Sequence, residues 1–231
     1  MGTSSRGKRG EIEILGGNHM RRVVVLTLLA LALPIAAAAS GIDLTNQFGT
    51  VTITAPNGGL GTIGVSTLTS KGSQMHGFNG MTSVSNLGYV NFSTGVLLNG
   101  SILNGGQFSA TGSSFTVKGV GNWAEGHGTA IFTGSFVGPI QWNLISVGPH
   151  GQTRNYQLVG SLVGTSFDGR TVTGTTVQNI SILNTGQLLI GRGHMMGGDT
   201  KLTVPEPGTL GLLGTGLVGL AGMFRRKLIG A

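Results

Sequence analysis

The chain has 231 residues, of which 9% are charged and 44 are glycine. Average soluble domains have roughly 25% charged residues and about 7% glycine. The low charge therefore excludes a highly charged disordered chain. Because each internal glycine costs a helix about 1 kcal/mol relative to alanine, the glycine content disfavours long helices in the middle of the chain. The absence of cysteine excludes a disulfide scaffold, a zinc–thiolate site and a thiol nucleophile.

The net charge of +7 comes mostly from the two ends of the chain. Five of the seven excess positive charges lie in residues 1–39 and 205–231. The lysines and arginines between them are scattered, whereas a DNA-binding face needs clustered cations that displace counterions. We therefore expect no nucleic-acid partner.

Residues 1–19 are predicted to be a mis-assigned leader. They are basic and rich in glycine, and they precede a complete export signal that begins with its own methionine, Met20. Leu15-Gly16-Gly17 can be encoded by a stretch that contains AGGAGG, a ribosome-binding sequence, a few codons ahead of Met20. We therefore expect translation to start at Met20.

Residues 20–39 are predicted to be a signal peptide. Arg21-Arg22 is followed by the uncharged run Val23–Leu33 and then by small residues, which is the order of a secretory signal. A first transmembrane helix and a buried core helix are the alternatives, but the apolar run is shorter than the span of about 20 residues that a bilayer needs, and Ala37 and Ala39 follow it closely. The residues that define the predicted cleavage site are Ala37, Ala39 and Ser40.

Residues 40–203 are predicted to be an exported β-domain. Short runs rich in β-branched residues alternate with turn dipeptides such as Asn79-Gly80, Asn99-Gly100 and Asp168-Gly169. The low charge and the many threonines predict sheets whose outer faces are hydroxylated. We expect an all-β fold, an antiparallel β-sandwich or a flattened barrel, with an N-terminal signal helix and a C-terminal transmembrane helix. The predicted strands include 50–55, 114–118, 130–137, 140–147, 156–163 and 171–178.

A ten-residue segment occurs twice in this region. Residues 99–108 and 179–188 are identical at seven of ten positions. An internal duplication into two equivalent halves would produce such a repeat. A strand–turn–strand segment that occurs twice in a chain rich in glycine and asparagine would produce it as well. The sequence leaves both interpretations open.

Few residues of this region could carry chemistry. Its carboxylates are Asp43, Glu125, Asp168 and Asp199, and none is close to another in sequence, whereas hydrolysis by acid and base needs a pair. We therefore expect no enzyme activity and no cofactor.

Two stretches combine chemically useful side chains. Trp123, Glu125 and His127 alternate at period two, so on a strand they would share one face and could contact a sugar, but the sequence favours a loop with a partly buried tryptophan. His194, Met195 and Met196 are soft ligands of the kind that binds Cu(I), but they are sparse, and the sequence favours a loop without metal there.

Residues 204–231 are predicted to be a sorting tail. Val204-Pro205-Glu206-Pro207 precedes the uncharged run 208–224, and Arg225, Arg226 and Lys227 follow it. As a helix the run would be about 25 Å long, adequate for a membrane anchor whose basic end stays cytoplasmic. A buried glycine-rich helix is the alternative, but it does not explain why charge returns only after Phe224.

This three-part tail resembles the PEP-CTERM sorting signal of exported bacterial proteins. The resemblance covers residues 204–227 and implies a destination but no activity. It implies recognition by a membrane exosortase that processes the chain near Pro205-Glu206-Pro207. The expected partners are therefore signal peptidase, an exosortase-type enzyme and the inner membrane.

The combined prediction is a protein that crosses the inner membrane, is transiently anchored with its C-terminal tail in the cytoplasm, and then reaches the cell surface or extracellular matrix. A non-catalytic surface or matrix component is favoured. The alternatives are a module that binds exopolysaccharide and, with less support, a secreted enzyme that processes polysaccharide.

Overall fold

The structure is a computed structural model that describes residues 41–54, 61–83, 85–121, 130–183 and 192–204. Within these ranges the chain forms β-strands and one 3-10 turn, Pro149–Gly151, and no α-helix. None of these ranges contains a helix long and apolar enough to cross a membrane. The strands are β1 (Gly41–Gln47), β2 (Thr50–Thr54), β3 (Thr67–Phe78), β4 (Met81–Thr82), β5 (Gly88–Ser93), β6 (Leu97–Ser101), β7 (Gly105–Phe108), β8 (Ser114–Gly119), β9 (Ala130–Val147), β10 (Thr153–Ser166), β11 (Thr171–Leu183) and β12 (Arg192–Thr203).

Eight of the strands close into an antiparallel barrel in the order β10–β11–β12–β1–β3–β5–β8–β9. The ring is closed by the pairing of β9 with β10, from Val147 opposite Arg154 to Phe132 opposite Ser166. Closure leaves no unpaired strand edge in the ring. The predicted all-β fold is confirmed, and of the two architectures expected from the sequence the structure has the barrel.

The four other strands are additions to this ring. β2 lies between β12 and β3, and β4 pairs with β3. β6 and β7 form a hairpin that pairs with the second half of β9, whereas the first half of β9 pairs with β8. One long strand therefore holds both the ring and the hairpin.

Alternation along each strand separates the core from the surface. In β1, Ile42 and Leu44 are buried while Asp43 and Thr45 are exposed, as expected when successive side chains point to opposite faces. The outer face is hydroxylated as predicted: Thr133, Thr165 and Thr171 are exposed and lie opposite one another on β9, β10 and β11. The largest buried side chains include Trp142, Tyr156, Phe92, Phe108, Phe115 and Phe132.

Glycines inside the strands leave room for these large side chains. Gly134 and Gly164 pair directly across β9 and β10. A Cβ atom would lie 2.6 Å from the Phe132 ring if added to Gly134 and 2.7 Å from it if added to Gly164. Small residues beside large ones are typical of the interior of a small barrel. Glycine at these positions is therefore a packing requirement.

β9 differs from the prediction. The sequence predicts two strands, 130–137 and 140–147, where the structure has one. The pairing with β10 shifts between Val137 opposite Ser161 and Gln141 opposite Val159, and Gly138 has φ of 70°. Pro139 cannot donate a backbone hydrogen bond, and an irregularity in the ladder accommodates such a residue. The strand therefore bulges where the sequence indicates a break.

The turn predictions have mixed outcomes. Asn79 and Gly80 have φ of 47° and 81° and join β3 to β4, as a two-residue hairpin requires. Asp168-Gly169 lies in the connection between β10 and β11, as predicted. The predicted turn at Asn99-Gly100 is wrong, because these residues lie inside β6 and the chain turns at residues 102–104. The sequence also predicts a turn at Asn104-Gly105-Gly106, and Asn104 does belong to the observed turn, whereas Gly105 and Gly106 begin β7.

The two copies of the repeated segment differ in local structure. Ile102 and Leu103 lie in the turn between β6 and β7, whereas the matching Ile182 and Leu183 lie in β11. The remainder of the second copy, residues 184–188, lies outside the described residues. Asn99 and Ser101 lie in a strand, as do the matching Asn179 and Ser181, so the two described copies agree in part and the duplication stays a hypothesis.

Candidate functional site

The chain enters and leaves the barrel on neighbouring strands. Gly41, the first residue of β1, pairs with Thr203, the last residue of β12. Val204 follows directly and packs, partly buried, against the hydrophobic core. The residues that lead to the predicted signal peptide and to the predicted sorting motif therefore lie at the same end of the barrel.

Of the site residues predicted from the sequence, the structure describes Val204. The sugar-contact, cleavage, sorting and anchor residues outside the described ranges are Trp123, Glu125, His127, Ala37, Ala39, Ser40, Pro205, Glu206, Pro207, Arg225, Arg226 and Lys227. The same is true of the predicted signal and transmembrane helices. These predictions stay predictions.

A cleft of about 190 Å³ beside this end of the barrel is lined in part by Val204 and Asp168. The Asp168 carboxylate accepts hydrogen bonds from Ser166 Oγ and from the Arg170 amide, and Arg170 Nε lies 3.3 Å from its Oδ2. The Ser166 bond, followed by the backbone and charge of Arg170, lowers the pKa of Asp168. An ionised carboxylate held in this way stabilises the turn between β10 and β11 and is a poor proton donor.

The other described carboxylates are spread over the barrel surface. Asp43 lies 3.9 Å from Lys201 Nζ on the neighbouring strand. Asp199 lies opposite Thr45 on β1 and Val177 on β11. Among the described residues no group of three or more His, Cys, Asp or Glu side chains is placed to hold a metal ion.

Residues 193–199 form part of a strand, and the predicted loop at this position is wrong. They belong to β12, where His194 pairs opposite Ser181. Met195 is buried in the core, whereas His194 and Met196 are exposed. Because successive strand side chains point to opposite faces, Met195 is separated from His194 and Met196, and the three soft ligands do not converge on one site.

The barrel interior contains a polar cluster at one position. The Asn46 and Gln178 amides hydrogen-bond each other, and Asn46 Nδ2 also donates to Ser73 Oγ at 2.7 Å. Gln178 Nε2 donates to Thr176 Oγ1 at 2.8 Å, and that hydroxyl lies 2.8 Å from Thr200 Oγ1. All five side chains are buried. Since their polar groups satisfy one another, the cluster joins β1, β3, β11 and β12 and leaves no buried group to bind a ligand.

A second polar feature lies on the surface of the β6–β7 hairpin. Asn99, Gln107 and Gln141 stand directly opposite one another on β6, β7 and β9. Asn99 Nδ2 donates to Gln107 Oε1 at 2.9 Å, and Gln107 Nε2 donates to Gln141 Oε1 at 3.3 Å. These amides line a shallow groove of about 390 Å³.

A second row of amides continues from this groove around the barrel. Asn143 lies two residues beyond Gln141 on the same face of β9, and it pairs opposite Gln157, which pairs opposite Asn179. Gln157 Nε2 donates to Asn179 Oδ1 at 3.3 Å. Asn179 in turn lines a second groove of about 300 Å³, together with Ile145 and Met196. We call the two grooves and the two amide rows the amide track.

Buried aromatic residues support the amide track from inside. The Trp142 and Tyr156 rings are stacked with their centroids 4.3 Å apart. Trp142 Nε1 donates to the Ile102 carbonyl at 2.8 Å, and the Tyr156 hydroxyl donates to the Leu103 carbonyl at 2.8 Å. Burial raises the pKa of Tyr156 from 10.0 to about 12, so this hydroxyl remains a donor at neutral pH. These bonds fix the tip of the β6–β7 hairpin and thereby the shape of the groove.

The amide track has no local signature in the sequence. Its six amides come from five strands and are brought together by strand register, so no local motif contains them. The recurrence of Asn or Gln at alternate outward positions, as in Gln141 and Asn143, is the one signal that the sequence offers.

Comparison with known proteins identifies one feature of the chain. Residues 203–227 match the family model of the PEP-CTERM protein-sorting motif. The resemblance found in the tail is therefore confirmed, and the matched segment begins at the last residue of β12. Neither the curated proteins nor the solved structures contain a match to the chain.

Proposed function

We propose that this PEP-CTERM sorting motif makes the chain a substrate of an exosortase-type enzyme, which delivers an exported, non-catalytic barrel to the cell surface or extracellular matrix. The observation that carries the proposal is the match at residues 203–227. In this proposal the chain is first tethered to the inner membrane by residues 208–224, with Arg225, Arg226 and Lys227 on the cytoplasmic side.

The positions of the two chain ends support this proposal. The predicted signal peptide ends at Ala39, two residues before β1, and the motif begins as β12 ends. Because Gly41 and Thr203 pair with each other, both predicted membrane segments are connected to one end of the barrel. In our proposal the barrel can therefore fold while the predicted signal peptide, the predicted transmembrane helix, or both are in the inner membrane.

The surface of the described barrel supports a structural role outside the cell. Threonine, serine and asparagine are frequent at its exposed strand positions, and Asp43 and Asp168 each contact a cation. Such a surface is soluble through hydrogen bonds to water and depends little on ionic strength, because few of its contacts are between charges.

The test is to replace Pro205-Glu206-Pro207 with three alanines in a host that contains an exosortase. The two prolines fix φ near −65° and remove backbone donors, so in our proposal the wild-type motif stays extended and recognisable. We expect the variant to accumulate as the full-length form in the inner membrane. A barrel variant, Thr171→Ala with Thr173→Ala, is the matched control and should be processed normally. If the triple-alanine variant is shortened and localised like the parent, the tail acts as an anchor and the sorting proposal is wrong.

A further inference from the structure

The chemistry of the amide track indicates what it can bind. Neither groove has Lys, Arg, Asp, Glu or His among the residues that line it. A charged polymer would therefore find no counter-ion there. An uncharged ligand with many hydrogen-bonding groups fits better, because each amide offers both an acceptor oxygen and donor N–H groups.

The amides of the track keep binding capacity after their mutual bonds are counted. An Asn or Gln side chain has two donor hydrogens and an acceptor oxygen with two lone pairs, and the bonds within the two rows use one donor hydrogen each from Asn99, Gln107 and Gln157. Asn99, Asn143 and Asn179 are exposed. The rows thus present oriented donors and acceptors that a hydroxyl, itself both donor and acceptor, can match.

The shape of the track favours a chain over a small molecule. Neighbouring strands lie about 4.8 Å apart, so the amides repeat at a distance similar to the length of one hexose unit in an extended chain. Both grooves are shallow, and the row from Asn143 to Asn179 connects them. Because the two grooves are shallow and connected, a segment of a polymer can lie along both of them.

Apolar contacts are also available along the track. The Ile145 and Met196 side chains in the second groove are 60% and 63% exposed. The C–H faces of a pyranose ring are apolar and can cover such side chains. Combined amide and apolar contacts of this kind suit a neutral sugar better than they suit an ion.

We propose that the amide track binds the interior of a neutral polysaccharide chain. This inference goes beyond the sorting proposal and does not depend on it, because it rests on the described barrel and not on the tail. It places the sugar-binding surface on β6, β7, β9, β10, β11 and β12, and its residues are not the predicted contact residues Trp123, Glu125 and His127.

The experiment measures the mobility of the full-length protein, purified in detergent, in native gels that contain a polysaccharide. The probes are hydroxyethylcellulose and dextran, which are neutral, and alginate, which is acidic. We expect at least one neutral polymer to retard the protein and alginate not to do so. The double variant Gln141→Ala with Asn143→Ala should bind about tenfold more weakly, as expected for the loss of two or three hydrogen bonds.

Two controls separate the proposal from its rivals. Gln152→Ala removes an exposed amide outside the track and should bind like the parent, and the thermal transition of each variant should match that of the parent. The proposal is overturned if neither neutral polymer retards the protein, if alginate alone does so, or if the double variant is retarded like the parent. It is also overturned if the track instead joins two copies of the chain, which would appear as a dimer in light scattering that the double variant abolishes. Processing of the tail, measured separately, is unaffected by any of these results.

Discussion

Asn46 and Gln178 bind each other across an intervening strand. Asn46 Nδ2 donates to Gln178 Oε1 at 2.9 Å and Gln178 Nε2 donates to Asn46 Oδ1 at 3.2 Å, although the two residues are 132 positions apart. Gly198 of β12 pairs with both of them and lies between. A Cβ atom on Gly198 would lie 2.1 Å from Gln178 Oε1 and 2.5 Å from Asn46 Oδ1. The amide pair therefore exists because position 198 has no side chain.

The first prediction concerns that glycine. We expect Gly198→Ala to lower the free energy of unfolding by about 2 kcal/mol, because the methyl group forces the buried amides apart and leaves polar atoms unpaired. Gly197→Ala is the matched control, since the nearest atom to a Cβ there lies 3.9 Å away. Urea denaturation followed by circular dichroism measures both. Equal stability of the two variants would contradict the prediction.

The second prediction concerns the pair itself. Gln178→Ala should cost about 2–3 kcal/mol, because it removes the partner of a buried amide and opens a cavity. Asn46→Ala should lower the free energy of unfolding by less in the Gln178→Ala background than in the parent. The reason is that the effects of mutations within one hydrogen-bond network do not add. A double-mutant cycle by urea denaturation gives the coupling. A coupling near zero would mean that the two amides act independently.

The third prediction concerns the tip of the β6–β7 hairpin. Trp142→Phe keeps an aromatic ring beside Tyr156 but removes the donor to the Ile102 carbonyl. A buried carbonyl without its partner costs about 1–3 kcal/mol, and we expect a loss of unfolding free energy in that range. Tyr89→Phe, at a partly exposed position, should change stability by less than about 0.5 kcal/mol. Similar losses in both variants would show that the indole N–H has no specific role.

The fourth prediction concerns pH. The pKa of Tyr156 is raised to about 12 in the folded protein from an ordinary value of 10.0. Between these values the unfolded chain loses the phenolic proton first, so the stability due to this group is complete below about pH 10 and falls as pH rises towards 12. Urea denaturation at pH 9 and pH 11.5 should show a larger loss for the parent than for Tyr156→Phe. An equal loss in both would assign the alkaline instability to other groups.

Local patterns in the sequence predict many of the strands, because strand formation depends in part on interactions between residues that are close together in the chain. Alternation at period two identifies β2, β8, β10 and β11, and Asn79-Gly80 predicts its hairpin, since these features depend on residues close together in the chain. The sorting tail can also be identified from the sequence, because its signal is a short contiguous motif.

Features that depend on distant residues were not predictable in this way. The sequence places turns at Asn99-Gly100 and at Asn104-Gly105-Gly106, but Asn99 and Gly100 pair with β7 and the chain turns at residues 102–104. Residues 193–199 look like a loop and form a strand because β11 supplies their pairing partners. Residues 101–103 and 181–183 are identical, yet one set lies at a turn and the other in a strand.

By itself the sequence determined the all-β character of this protein, the hydroxylated outer face of its strands and the sorting signal at its end. The tertiary structure alone decided that the sheet closes through β9 and β10, that Gly41 and Thr203 are neighbours, and that six amides from five strands form one track. The physical reason is that register and closure are set by the summed fit of side chains from distant strands, such as Phe132 of β9 against Gly164 of β10, and no short segment contains both sides of such a contact.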